Sequence, residues 1–146
     1  MGSLWQFKRE KVMENEKETL KILIIDDAEI DLDILESILN QLGFQNIIRA
    51  SSGMEGVQLA EKHRPELVMS DIMMPGIDGG EVRQRLKENP ATEGIPVIFT
   101  SSIITKKEEK ELGGQLRSGD QLVAKPYSSS EISKAIDFAL GPTIGV

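Results

Sequence analysis

From Lys21 onward, short apolar runs alternate with amphipathic stretches, the pattern left by buried parallel strands joined through crossover helices. The runs occupy residues 22–25, 47–48, 67–69, 97–99 and 122–124. Each is too short and too apolar for anything but a buried central strand or a helix fragment, and the flanking turn residues favour strand. Between the first two, Ile30, Ile34, Leu35, Ile38, Leu39 and Leu42 recur at helical spacing, and Gly43 stands where a left-handed cap ends a helix. A second helix is predicted over 53–64, with Met54, Val57 and Ala60 on one side and Pro65 closing it. A third, over 81–88, turns Val82 and Leu86 inward.

The fourth helix begins at Thr105, where Thr105 and Glu108 have the spacing of a capping box. Gly113 and Gly114 follow inside it, and each weakens an exposed helix interior by about 1 kcal/mol relative to Ala. A frayed or broken element is expected there. The last helix has a capping box at Ser128 and Glu131, an apolar stripe of Ile132, Ala135, Ile136, Ala139 and Leu140, and a stop at Gly141 and Pro142. The expectation is an α/β domain over 20–141: a doubly wound, five-stranded parallel sheet flanked by five helices. Residues 142–146 form a short tail. Residues 1–19, rich in Lys and Glu with Leu4, Trp5, Phe7, Val12 and Met13 scattered among them, read as a solvated tail, with a partner-docking helix as the sharper alternative.

The length of 146 residues fits one domain. A net charge of -7 argues against coating nucleic acid or anionic membrane. With no cysteine there are no disulfides, thiolate nucleophiles or Cys-based metal sites. No apolar run spans a bilayer and no secretory signal opens the chain, so a cytoplasmic location is the default expectation.

Chemistry in such a sheet gathers outside the carboxyl ends of the strands. Those ends carry Asp26 and Asp27, then Asp71, then Thr100 with Ser101 and Ser102, then Lys125 followed by Pro126. Three crowded carboxylates repel unless a cation favours their ionised forms, and hard oxygen ligands without His or Cys suit magnesium better than calcium. A carboxylate is also a nucleophile toward phosphorus if the equatorial phosphoryl oxygens are stabilised. A metal, the Lys125 ammonium and the Thr100 hydroxyl or nearby N–H groups could supply that. Taken singly, each residue has a plainer role: an acidic pair caps a helix, an Asp sits in a turn, a Thr ends a strand, a Lys is solvated. His63, the one histidine, suits a helix C-terminus, and the stretch from Met73 to Pro75 suits a packed loop.

Four segments, KILIIDD at 21–27, LVMSDIMMPGIDGG at 67–80, IPVIFTSS at 95–102 and LVAKP at 122–126, together resemble the receiver domains of two-component response regulators. The resemblance covers roughly 20–140 and implies the flavodoxin-like strand order 2-1-3-4-5. It implies that Asp71 is the phosphoacceptor, that Asp26, Asp27 and Asp71 with the backbone carbonyl of Met73 organise Mg2+, that Thr100 is the switch hydroxyl, and that Lys125 pairs with the phosphoryl group. Lys125–Pro126 resembles a peptide that is often cis in the family.

The implied donor is a sensor histidine kinase or a phosphotransfer protein. The implied output surface combines the fourth helix, the fifth strand and the last helix, and a homodimer is compatible with it. Leu122 stands where many members carry an aromatic switch residue, and Tyr127 is a different position. Met73 and Ser102 offer no acid or amide to orient water, so a persistent phosphoryl group is expected. Two other readings are a phosphorylation-independent interaction module and a phosphatase of the haloacid-dehalogenase type. The phosphatase signature needs Asp-x-Asp after the first strand, where this chain has Asp26-Asp27-Ala28.

Overall fold

The structure is a computed structural model that describes residues 11–103, 116 and 119–141. Five strands, β1 (Lys21–Ile25), β2 (Asn46–Ala50), β3 (Leu67–Asp71), β4 (Val97–Ser101) and β5 (Gln121–Ala124), form one sheet in the order β2-β1-β3-β4-β5. Every neighbouring pair is parallel. Four α-helices are seen among the described residues rather than five: α1 (Glu29–Gln41), α2 (Gly53–His63), α3 (Gly79–Glu88) and α4 (Ser129–Leu140). The last of these is the predicted fifth helix. The predicted fourth, with Thr105, Glu108, Gly113 and Gly114, lies outside the described residues, as do Leu4, Trp5, Phe7 and the tail at 142–146.

Alternation along the strands builds two cores. Ile22 and Ile24 face α1 and α4, packing with Leu32, Leu35, Leu39, Ile132 and Ile136. Leu23 and Ile25 face α2 and α3, packing with Val57, Ala60, Val82 and Leu86. Residues of β1 bury both faces, as a central parallel strand must. Each fully buried Ile or Leu contributes about 1.5–3 kcal/mol of transfer free energy, so the centre of the sheet is the rigid platform from which its loops project. At the edge, β2 is only half buried, unlike the predicted central strand.

Helix ends follow local chemistry. α1 closes with a Schellman arrangement in which Phe44 N–H donates to Leu39 O at 2.9 Å and Gly43 N–H to Asn40 O at 3.0 Å. Gly43 has φ 108°, a conformation that glycine adopts without strain. Ser52, Asp78 and Ser128 cap α2, α3 and α4, each accepting from the N–H three residues on. α3 starts two residues earlier than predicted, at Gly79. The buried face of α1 is also rotated from the predicted stripe: Leu32, Leu35 and Leu39 are buried, while Ile30 is 72% exposed and Ile34 45%. Met54 likewise faces outward on α2.

Residues 11–19 stay largely exposed, and Val12 is where they depart from the expected solvated tail. Val12 is 3% exposed within the α1–α4 core, and its N–H donates to Asp137 Oδ1 of α4 at 2.7 Å. A 3-10 turn (Glu14–Glu16) follows, and Lys17 Nζ donates to Leu42 O, one of the carbonyls left open at the end of α1. In the sequence Val12 is an isolated apolar position in a charged stretch, and Leu20 is the first residue of the predicted domain. They are partners for apolar surface at the lower end of α1 and α4, which local periodicity does not reveal.

Candidate functional site

The period-two alternation that buries Ile24, Met69, Ile98 and Val123 beneath α1 and α4 continues to the strand ends. Asp26, Asp71, Thr100 and Lys125 stand two residues further on and emerge on that same side. Register aligns them: Ile25 pairs with Ser70, Asp71 with Thr100, and Ser101 with Ala124. Backbone hydrogen bonds extend the ladders past the strands, with Asp26 N–H donating to Ala50 O, Ile72 N–H to Thr100 O and Lys125 N–H to Ser101 O.

Lys125 is the hub. Its Nζ lies 2.7 Å from Asp26 Oδ2, 2.8 Å from Asp31 Oδ2 and 3.0 Å from Asp71 Oδ2. Asp26 Oδ1 accepts from Ala28 N–H at the start of α1, and Asp71 Oδ1 from Met73 N–H at 3.2 Å, which folds the loop after β3 back over the carboxylate. Asp26, Asp71 and Thr100 are buried. Burial pushes the Asp26 carboxyl above its usual range, against the opposing pull of Lys125 and the Ala28 N–H. Burial also disfavours the Lys125 ammonium, but hydrogen bonds to Asp26, Asp31 and Asp71 outweigh it and hold the group above its ordinary value.

Asp26, Asp27 and Asp71 each bring a carboxylate oxygen within 4.8 Å of the others, Asp27 being the exposed member. The set fits a magnesium ion. It is all oxygen, it carries more negative charge than one lysine balances, and Asp26 is poorly solvated. The structure thus brings together the sequence-predicted Asp26, Asp27, Asp71, Thr100 and Lys125, and sets the Met73 backbone beside Asp71.

One expectation is revised. Met74 packs into the core, but Met73 is 59% exposed, so the Met73–Pro75 stretch is only partly a packed loop. Leu122, which the resemblance sets at the position of an aromatic switch, is fixed in the α2–α3 core at 2% exposure. Tyr127 is half-buried, with its hydroxyl near Thr100. The residue that sequence reasoning missed is Asp31. It lies four before Leu35 and eight before Leu39, in phase with the buried face of α1, so an acid there points at the strand ends. His63 sits at the opposite edge of the sheet, where its carbonyl accepts from Lys21 Nζ at the start of β1. The Lys125–Pro126 peptide is cis.

A doubly wound sheet with an acidic set, a hydroxyl and a lysine at its carboxyl edge defines a phosphoacceptor class of signalling domain. The chain belongs to the response regulator receiver domain family, whose model matches residues 22–137. It is 31% identical over 121 residues to the protein PilH of Pseudomonas aeruginosa, an alignment covering 82% of this chain and 97% of PilH. It is 30% identical over 125 residues to the polar-differentiation response regulator DivK of Brucella ovis, covering 84% and 98%. Among solved structures, a response regulator from Desulfuromonas acetoxidans superposes with a TM-score of 0.68 at 35% identity, covering 83% and 96%. The receiver domain of a sensor histidine kinase of Pseudomonas aeruginosa PAO1, solved with a magnesium ion in its active-site cleft, shares the fold with a TM-score of 0.69 at 21% identity over 84% and 98%. The domain therefore serves two-component signalling as a phosphoacceptor that interacts with histidine kinases and downstream effectors. No helix among the described residues is long and apolar enough to cross a membrane.

Proposed function

We propose that Asp71 is the phosphoacceptor, with Lys125 and Thr100 as its partners in phosphoryl transfer. The observation that carries this reading is the Lys125 ammonium, bonded at once to Asp71 and Asp26 at the edge where Asp27 completes the acidic set. An Asp71 carboxylate oxygen attacks the phosphorus of a phosphohistidine. The phosphorus–nitrogen bond breaks and the imidazole leaves with its electron pair. Lys125 gives up its hydrogen bond to Asp71 for one to a phosphoryl oxygen, and the Thr100 hydroxyl donates to another. Asp26, Asp27, Asp71 and the Met73 carbonyl would hold magnesium, which supplies neutralisation of the remaining phosphoryl charge.

The phosphorylated form then shifts a two-state surface that includes β5 and α4, changing partner binding in the cytoplasm. The domain is an acceptor and switch rather than a turnover enzyme, and it does not bind nucleic acid directly. With Met73 and Ser102 flanking the site, loss of the phosphoryl group is slow. The test is intact mass after treatment with acetyl phosphate and magnesium. One phosphoryl group is expected on the wild type and none on Asp71→Asn, and the adduct should persist after the donor is removed. An unchanged wild-type mass across several donors would favour the phosphorylation-independent module.

A further inference from the structure

We propose that Asp31 is a positioning residue for phosphoryl transfer, anchoring the Lys125 ammonium from the first turn of α1 so that the cation stays beside Asp71. This rests on reading Asp71 as the phosphoacceptor. An ammonium has three donors, and all three are engaged, by Asp26, Asp31 and Asp71 at 2.7, 2.8 and 3.0 Å. Two of these acceptors have other duties. Asp71 receives the phosphoryl group, and both Asp26 and Asp71 belong to the set that fits a metal ion. Asp31 stands outside that set and remains as a counter-charge throughout.

Its placement is determined by the helix. Leu35 and Leu39, one and two turns on, are 3% and 0% exposed, which fixes the rotation of α1 about its axis and turns Asp31 toward the strand ends. Arg49 of β2 braces the outer side of the same helix through Glu29 at 2.7 Å, Asp33 at 2.8 Å and Glu36 at 2.9 Å. The Lys125 side chain is 9% exposed and that of Asp31 33%, so Asp31 also forms the solvent-side wall of the lysine. It lines a cavity of about 340 Å³ with Ile34, Ser102, Pro126 and Tyr127. Lysine is a point charge on a flexible four-carbon stem, and its value to a transferring phosphoryl group depends on being held in place beforehand. Without Asp31, the ammonium is free to leave Asp71 for Asp26 or water.

Two readouts test this. In metal-free, 15N-labelled protein at mildly acidic pH, the Lys125 ammonium should give a solvent-protected cross-peak, assigned by its absence in Lys125→Gln. Asp31→Ala should abolish that protection, and Asp31→Asn, which keeps an acceptor oxygen, should restore part of it. At saturating magnesium, Asp31→Ala should slow phosphorylation by acetyl phosphate about tenfold, the loss expected for one charge-assisted hydrogen bond. The same change in a Lys125→Gln background should have no further effect. Retained protection of the ammonium in Asp31→Ala would overturn the proposal. So would an equal slowing in both backgrounds, which would mean that Asp31 acts through the metal or the fold. Failure of the wild type to accept a phosphoryl group would overturn the Asp71 assignment instead, while the metal-free cross-peak would still report whether Asp31 anchors the lysine.

Discussion

The Tyr127 hydroxyl is buried beside Thr100 without a hydrogen bond of good geometry, and burial pushes its phenol up to about 12. A buried hydroxyl left unpaired costs about 1–3 kcal/mol, so Tyr127→Phe is expected to leave stability unchanged or raise it by about 1 kcal/mol in urea unfolding. A clear loss would mean that the hydroxyl has a strong partner in solution. Asp26 shows the same conflict with a charge. Its folded-state value lies above that of the unfolded chain, so the ionised form opposes folding above that value and the opposition is relieved as pH falls through it toward the ordinary 3.8. Asp26→Asn should therefore stabilise the metal-free protein at neutral pH. It should also weaken the gain in melting temperature on adding magnesium.

Elements carry these residues to the site, and their close approaches are as specific as the residues themselves. Gly79 opens α3 where a Cβ would run into the Asp71 carbonyl and crowd the Ile72 backbone, and its own N–H donates to Ile72 O at 2.9 Å. Gly79→Ala should cost about 1–3 kcal/mol, as overpacking does, because those neighbours are backbone and cannot swing aside. Since the displaced atoms belong to Asp71 and Ile72, phosphorylation should slow as well, to be checked by thermal unfolding together with the rate of mass gain. An element read correctly from pattern can still be rotated. The pattern places α1 within a few residues, but a stripe through Ile30 and Ile34 ignores Leu32, which packs while those two stay exposed.

For the molecule as a whole, the segment before β1 ties together the ends of α1 and α4. Val12→Ala is expected to lower stability by about 1–2 kcal/mol in denaturant titrations, from lost burial and the space left behind. A solvated tail would lose nothing. At the opposite end, magnesium present at 100 times its Kd should add about 2.7 kcal/mol of stability, provided that it binds the folded chain alone. Asp26→Asn should reduce that gain, whereas Val12→Ala should not, because the core around Val12 and the acidic set lie at opposite edges of the sheet.

Much of this was legible in the chain itself. Strands buried on both faces must be short and apolar, helices between them must be amphipathic, and chemistry at strand ends must follow the last apolar residue; that logic located all five strands and Asp26, Asp27, Asp71, Thr100 and Lys125. It could not locate Asp31, whose meaning depends on how α1 is rotated, nor the placement of Val12, which packs between α1 and α4 and whose N–H donates to Asp137 more than a hundred residues away. Local sequence specifies what an element is because backbone periodicity and burial act over a few residues. Which side chains meet is decided by the sheet order and helix rotation, since those depend on the whole core packing at once.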